Sequence, residues 1–164
     1  RMELFHPGND MAENVIKEVA QNKKAKFEYE IIETFEAGIV LKGTEVKSMR
    51  MGKASINEAY GRIVKGELFV YQMNISVYEN GNIFNHDPMN PRKLLLHKKE
   101  IRRLIGKLQE QGFALIALKL YFKNGKAKLL LGLGKGKTQY DKRESIKKRE
   151  DQREMQRALK NYKH

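Results

Sequence analysis

Residues 113–134 read FALIALKLYFKNGKAKLLLGLG, two apolar runs joined by Asn124-Gly125. That dipeptide suits a two-residue turn with positive φ at both positions, and such turns match the right-handed twist of paired antiparallel strands. No other segment restricts the fold as tightly. Runs 113–122 and 126–134 are expected to form one long hairpin, and a hairpin this apolar needs further strands or helices packed on it. GRIVKGELFVYQMNI (61–75) repeats the pattern on a smaller scale, with Lys65-Gly66 at the junction. FEYEIIETFEAGIVLKGTEVKSMRMG (27–52) is rich in aromatic and β-branched residues and is expected to give two or three strands, with Gly38 or Gly43 at a bulge or bend.

Helical signals are fewer. Ile101, Leu104, Ile105 and Leu108 form a stripe at helical spacing, with Gly112 as a stop. ASINEAY (54–60) suits a single helical turn, and ENGNIFNHDPMNP (79–91) a polar loop. Near the start, Ala12, Val15, Ile16 and Val19 make a short stripe that fits either a packed helix or a basic arm; a flexible arm to about Lys24 is the preferred reading. The opening RMELFHPGND is read as an expression scar ahead of Met11. Many short strands, one good helix and a basic surface point to a mainly β fold: a closed antiparallel barrel of the oligonucleotide-binding (OB) type with a few helices. A split β-α-β-β domain is the competing architecture. The division expected is an arm at 1–24, a barrel at 25–139 and a tail at 140–164.

The tail, YDKRESIKKREDQREMQRALKNYKH, holds nine Lys or Arg against five Asp or Glu. From 147 to 154 every residue is polar or charged, and only Met155, Ala158, Leu159 and Tyr162 give an apolar stripe. Such a segment has good helix formers but almost nothing to bury, so it is expected to be disordered when free and helical when bound. The formal net charge of the whole chain is +13, which favours a polyanionic partner such as nucleic acid.

Other classes find little support. No run reaches the roughly 18 apolar residues of a spanning helix, so no membrane partner is expected. The absence of cysteine excludes disulfides and thiolate metal sites and agrees with a cytoplasmic location. GLGKGKT (132–138) ends like a phosphate-binding loop, but Leu131 stands where that loop needs glycine. Lys135 and Lys137 remain as two charges in a flexible glycine frame, either reaching an RNA backbone or marking a solvated exit from the last strand. His6, His86, His97 and His164 lack metal-ligand spacing, and His86-Asp87 has no Ser or Cys nucleophile motif beside it. No catalytic residue, metal or cofactor is expected.

FEAGIVLKGTEVKSMRMGKASINEAY (35–60), PRKLLLHKKEI (91–101), LKLYFKNGKAKLLLGLGKGK (118–137) and YDKRESIKKRE (140–150) together resemble the SmpB family, in order and at its spacing, over about residues 22–164. The resemblance implies a non-enzymatic, monomeric RNA-binding protein of bacterial trans-translation. Its partners would be the tRNA-like domain of transfer-messenger RNA (tmRNA), whose alanylation it supports, and the decoding centre and empty mRNA channel of stalled ribosomes. Elongation factor Tu and alanyl-tRNA synthetase would be partners only through tmRNA.

The same resemblance carries roles onto residues. Glu36, Leu95 and His97 take the tRNA-like-domain contacts, by accepting hydrogen bonds, packing on an unstacked base, and stacking or donating; His97 equally suits helix capping. Lys47, Arg50, Lys135 and Lys137 would supply phosphate charge, while Asn57 and Asn74 are RNA contacts or turn caps. In the tail, Asp141, Lys142 and Arg143 match the family's DKR motif, and Tyr140 stands at a position used to stack on ribosomal RNA. Arg153 and Arg157 would face phosphates, and Ala158 and Leu159 align with a small apolar pair. A ribosomal structural protein with an rRNA-binding tail is the alternative, distinguished by whether one RNA of a few hundred nucleotides or mature ribosomal subunits co-purify.

Overall fold

The fold is that of a computed structural model, which describes residues 15–78, 85–137 and 139–162. The expected scar, Met11 and Ala12, and residues 79–84 of the polar loop, lie outside the described residues. Strands β1 (Ile16–Gln21) and β2 (Tyr29–Ile39) flank a single turn, α1 (Ala25–Glu28). Helix α2 (Gly43–Arg50) leads to β3 (Ala54–Ser55), β4 (Tyr60–Val64), β5 (Glu67–Tyr71) and β6 (Asn74–Ile75). Then come β7 (Arg92–Leu95), α3 (Lys98–Leu108), β8 (Phe113–Lys123), β9 (Lys126–Gly136) and α4 (Gln139–Tyr162). The chain is thus mainly β, with several helices.

Both expected hairpins form. Lys65 and Gly66 have φ of 53° and 79°, and Asn124 and Gly125 have 51° and 81°, the paired left-handed conformations of a two-residue turn. The main sheet runs β1-β8-β4-β5-β7-β2-β9, and β9 pairs again with β8. The hydrogen-bonded order β8-β4-β5-β7-β2-β9 therefore returns on itself, while β1 pairs with β8 beside β4. Inside lie Phe35 and Ala37 of β2, Leu68 and Val70 of β5, Leu94 of β7, Leu115 and Leu120 of β8, and Leu129, Leu131 and Leu133 of β9. Leu104 of α3 and Met49 of α2 join the same core. On β8, a register shift between Ala117 and Lys119 interrupts strict alternation. A second, smaller cluster, Ala25, Ile116 and Leu118, lies on the other face of β8, so β8 is covered on both sides and its sequence shows an apolar run instead of alternation.

Several expectations are corrected. Residues 43–50 are helix, not strand, because a nonlocal partner holds them: buried Glu45, which accepts from the Lys42 amide at 2.8 Å at the helix start, also accepts from Arg92 Nε at 2.6 Å. Gly43 opens that helix, Gly38 lies in an unbroken ladder, and the irregularity of β2 falls instead between Ile31 and Glu33. Residues 54–60 contribute strand ends and a turn, not a helical turn. Residues 16–21 form neither a helix nor a flexible arm; β1 is hydrogen-bonded to β8, and Asn124 Oδ1 accepts from the Val15 amide at 3.0 Å. Residues 139–162 form the 24-residue helix α4.

The frame of Lys135 and Lys137 is also not a flexible glycine segment. Gly132, Gly134 and Gly136 are strand residues paired with β2. A Cβ at Gly132 would stand 2.8 Å from Leu118 Cδ1, and one at Gly134 would stand 3.1 Å from Tyr29 Cβ. These glycines admit neighbouring side chains over the strand. With the amides of 132 and 134 committed to the sheet and no helix beginning at Lys137, a phosphate-binding loop does not form.

Candidate nucleic-acid interface

The outer face of the sheet carries a row set by register. Tyr121 pairs with Lys128, Lys128 with Gly38, and Gly38 with Leu95. Alternation along each strand sends neighbouring apolar residues inward and this row outward. Leu95 is 53% exposed and Val40 51%, large values for side chains on a folded sheet. Between Lys128 and Leu95, Gly38 contributes no side chain, and a Cβ there would stand 3.6 Å from Leu95 Cβ and 3.7 Å from Leu95 Cδ1.

Glu36 stands beside this row. Its Oε2 accepts the Tyr121 hydroxyl and its Oε1 faces Lys123 Nζ at 3.4 Å. The Tyr121 bond is the main force holding the Glu36 carboxyl below its ordinary 4.5; partial burial opposes it, and Lys123 and Lys128 act in the same direction as Tyr121. Burial first, and then the Glu36 carboxylate, push the Tyr121 phenol well above its ordinary value. Glu36 is therefore an oriented, ionised acceptor with spare lone pairs, suited to base amines and imino groups or to ribose 2′-hydroxyls. Tyr121 and Lys123 were not singled out from the sequence. The signal was present in LKLYFK, where Lys119, Tyr121 and Lys123 alternate with Leu120 and Phe122.

His97 follows β7 directly and is the N-cap residue of α3; its ring makes no capping bond, while its backbone amide donates to Glu100 Oε1 at 3.3 Å. The ring is exposed close in sequence to Leu95. Glu36, Leu95 and His97 thus belong to β2, β7 and the β7–α3 junction, where the sheet register joins the first two strands.

The remaining candidates are distributed elsewhere. Lys47 and Arg50 are exposed on α2, with Lys47 Nζ over the Tyr78 ring at 5.4 Å and the Arg50 guanidinium over Phe122 at 5.9 Å. Asn74 is an exposed residue of β6, opposite Ser55. Asn57 is exposed in the turn before β4 and lines a cleft. Lys135 lies over Phe113 at 6.0 Å, and Lys137 Nζ donates to the Lys26 carbonyl at 2.9 Å. In α4, Lys142 is half-buried and Arg143, Arg153, Arg157, Ala158 and Leu159 are exposed. The side chains of Tyr140 and Asp141 lie outside the described residues.

His86, a candidate half of a catalytic pair, has a structural environment. Its Nε2 donates to the Ile75 carbonyl at 2.8 Å and its Nδ1 accepts from Thr44 Oγ1 at 2.9 Å, because a carbonyl can only accept. Beside it the buried Arg92 donates to Glu45, to Met73 O, to Asp87 O and to Pro88 O. This network fastens α2 and the 85–91 loop to β7. Among the described residues, no cluster of His, Cys, Asp and Glu could hold a metal ion, and no helix is long and apolar enough to cross a membrane.

The model of the SmpB protein family matches residues 19–161. The chain belongs to the SmpB family. Relatives of this SmpB-family chain include the SsrA-binding protein of Anoxybacillus flavithermus, 59% identical over 143 residues, covering 87% of this chain and 93% of that one. The SsrA-binding protein of Desulforudis audaxviator is 58% identical over 148 residues, covering 90% and 97%. Among solved structures, a chain described by the words "tmRNA-SmpB: a journey to the center of the bacterial ribosome" superposes with a TM-score of 0.62 at 48% identity. That match covers 77% of this chain and 92% of the other.

Proposed function

We propose that this protein binds the tRNA-like domain of tmRNA through the outer sheet face and brings it to stalled ribosomes. The observation that carries this reading is the oriented Glu36 carboxylate on the strand paired with the exposed Leu95. An acceptor-only anion on a basic protein is a poor phosphate site but a good reader of base edges and 2′-hydroxyls. Relatives at 54–59% identity that carry the name SsrA-binding protein support it, as does the solved tmRNA-SmpB neighbour. In this reading the returning sheet is a closed OB-type barrel and the protein works as a cytoplasmic monomer. It supports alanylation and meets elongation factor Tu and alanyl-tRNA synthetase only through the RNA. The basic α4 segment enters the decoding centre and the empty mRNA channel, is disordered when free, and folds there as the helix described above. Lys47, Arg50, Asn57, Asn74, Lys135 and Lys137, which lie apart from Glu36, add further RNA contacts.

The test separates recognition from charge. Glu36→Ala with His97→Ala should weaken binding of the isolated tRNA-like RNA with little change in salt dependence. Lys135→Ala with Lys137→Ala should reduce the slope of log K against log salt by about 0.7–0.9 for each phosphate that is no longer neutralised. Removing 140–164 should leave this binding nearly intact and abolish tagging on stalled ribosomes. Unchanged affinity in the Glu36/His97 double variant would mean that the recognition face lies elsewhere.

A further inference from the structure

The Tyr121 hydroxyl and the Glu36 carboxylate meet across a strand that belongs to neither. Tyr121 stands on β8 opposite Lys128 of β9, and Glu36 stands on β2 opposite Leu130 of the same strand. Lys128 and Leu130 are two residues apart on β9 and so face the same side of the sheet. Neighbouring strands lie about 4.8 Å apart, so the two side chains together bridge about 10 Å over β9. A long phenol and a long carboxylate span that gap, and the Tyr121 O–H donates to Glu36 Oε2 at 2.5 Å.

The two partners differ in what they offer a ligand. The Glu36 side chain is 35% exposed, whereas Tyr121 is 7% exposed, set between its cross-strand neighbours Glu18 on β1 and Lys128 on β9. A ring so covered presents no face for stacking, and its single hydroxyl hydrogen is already given to the carboxylate. Lys123 is the weaker holder: its ammonium stands 3.4 Å from Oε1 and its side chain is 32% exposed, and a flexible exposed pair of this kind fixes little. Of these two groups, Tyr121 is the rigid one. A glutamate free to sample its rotamers pays in affinity when RNA orders it. The Tyr121 bond fixes one oxygen beforehand and leaves the outward lone pairs for donors.

We propose that Tyr121 is a positioning residue for RNA recognition: it contacts no RNA and acts through Glu36, holding the carboxylate ready for base N–H groups or ribose hydroxyls. This rests on the Glu36 recognition face proposed above and deepens it by naming the group that prepares the acceptor. Without the phenol O–H the carboxylate regains its freedom. It also protonates more readily as pH falls, because only Lys123 and Lys128 then hold it below 4.5, against its partial burial. A protonated carboxyl carries an O–H of its own and has less capacity to accept.

The test is a double-mutant cycle on the full chain, reading affinity for the isolated tRNA-like RNA in wild type, Tyr121→Phe, Glu36→Ala and the double variant. Tyr121→Phe keeps the covered ring and removes only the hydroxyl. It should weaken binding by about twofold to tenfold, the range for ordering one rotamer-rich side chain, with the salt slope unchanged because no phosphate contact is lost. In the Glu36→Ala background the same change should have no effect, whereas a change that merely loosened the fold would weaken both backgrounds alike. The ratio of wild-type to Tyr121→Phe affinity should widen as pH falls from neutral toward 4.5. Equal loss in both backgrounds, or full affinity in Tyr121→Phe while Glu36→Ala is weakened, would overturn the proposal and leave the Glu36 face standing. Full affinity in Glu36→Ala would remove the face and the positioning role together.

Discussion

The sheet body and α4 are both ordered in this structure, yet for different reasons. In the body, side chains from distant segments exclude water together, and Leu129, Leu131 and Leu133 alternate into one core with Phe35, Leu68 and Leu94. In α4, every described side chain from Ile146 to Lys160 is exposed, including Met155 and Leu159 at 66% and 62%. Its few ties to the body are local: α4 touches α1, where the Arg149 guanidinium stands 5.4 Å from the Phe27 ring. The contrast teaches that a helix can be well formed geometrically while its stability comes only from propensity and short-range pairs. A surface that buries nothing of its own is also free to be buried by something else.

The largest expected effect tests the body's internal polar anchor. Arg92 and Glu45 are each about 2% exposed and paired. Removing one member leaves a buried charge unanswered, so Arg92→Ala should destabilise the protein by about 3–5 kcal/mol, read as a fall in the thermal unfolding midpoint. A loss below about 1 kcal/mol would mean that water reaches the pair.

The next effect compares like with like across the two regions. Leu131→Ala should cost about 2–5 kcal/mol in urea unfolding because it opens a cavity in the core. Leu159→Ala should shift the same transition by less than about 0.5 kcal/mol. If the two leucines cost the same, α4 packs on the body in solution. Amide exchange sharpens the point further: amides of β8 and β9 should be strongly protected, and those of 147–160 should exchange at close to unstructured rates in the isolated protein. Strong protection of 147–160 would contradict the proposal that this segment folds only on its partner.

The smallest effect is a titration. The folded Glu36 carboxyl lies below its ordinary 4.5, so its ionised contacts stabilise the protein above that pH, and the contribution is lost as pH falls through the lowered value. Tyr121→Phe removes the largest cause and should raise the Glu36 midpoint toward 4.5, followed by carboxyl carbon chemical shifts. No movement would show that Lys123 alone holds the charge.

What the sequence made legible was what depends on neighbours in the chain. The hairpin turns at Lys65-Gly66 and Asn124-Gly125, and the stripe from Ile101 to Leu108, are local signals and all three form. Helix α2 and strand β1 were misjudged because their reasons lie far away: Glu45 is matched to Arg92, 47 residues on, and β1 to β8 about a hundred residues later. The glycines of 132–136 looked mobile because composition cannot reveal that Leu118 and Tyr29 lie over them. In the candidate site, Glu36, Leu95 and His97 entered through family resemblance, whereas the Tyr121 bond that orients Glu36 needed the register of β8 on β9 and β2.

One junction carries a mechanical consequence. Immediately before α4, the Lys137 amide donates to Glu28 O at 2.9 Å and its ammonium to Lys26 O at 2.9 Å, so α1 acts as a clamp at the root of the helix. At 1.5 Å per residue α4 is about 36 Å long, and a rotation of about 10° at its root would carry the far end by about 6 Å. On its partner, where the proposed reading has this segment folded, such a helix would act as a cantilever whose tip swings severalfold further than its root.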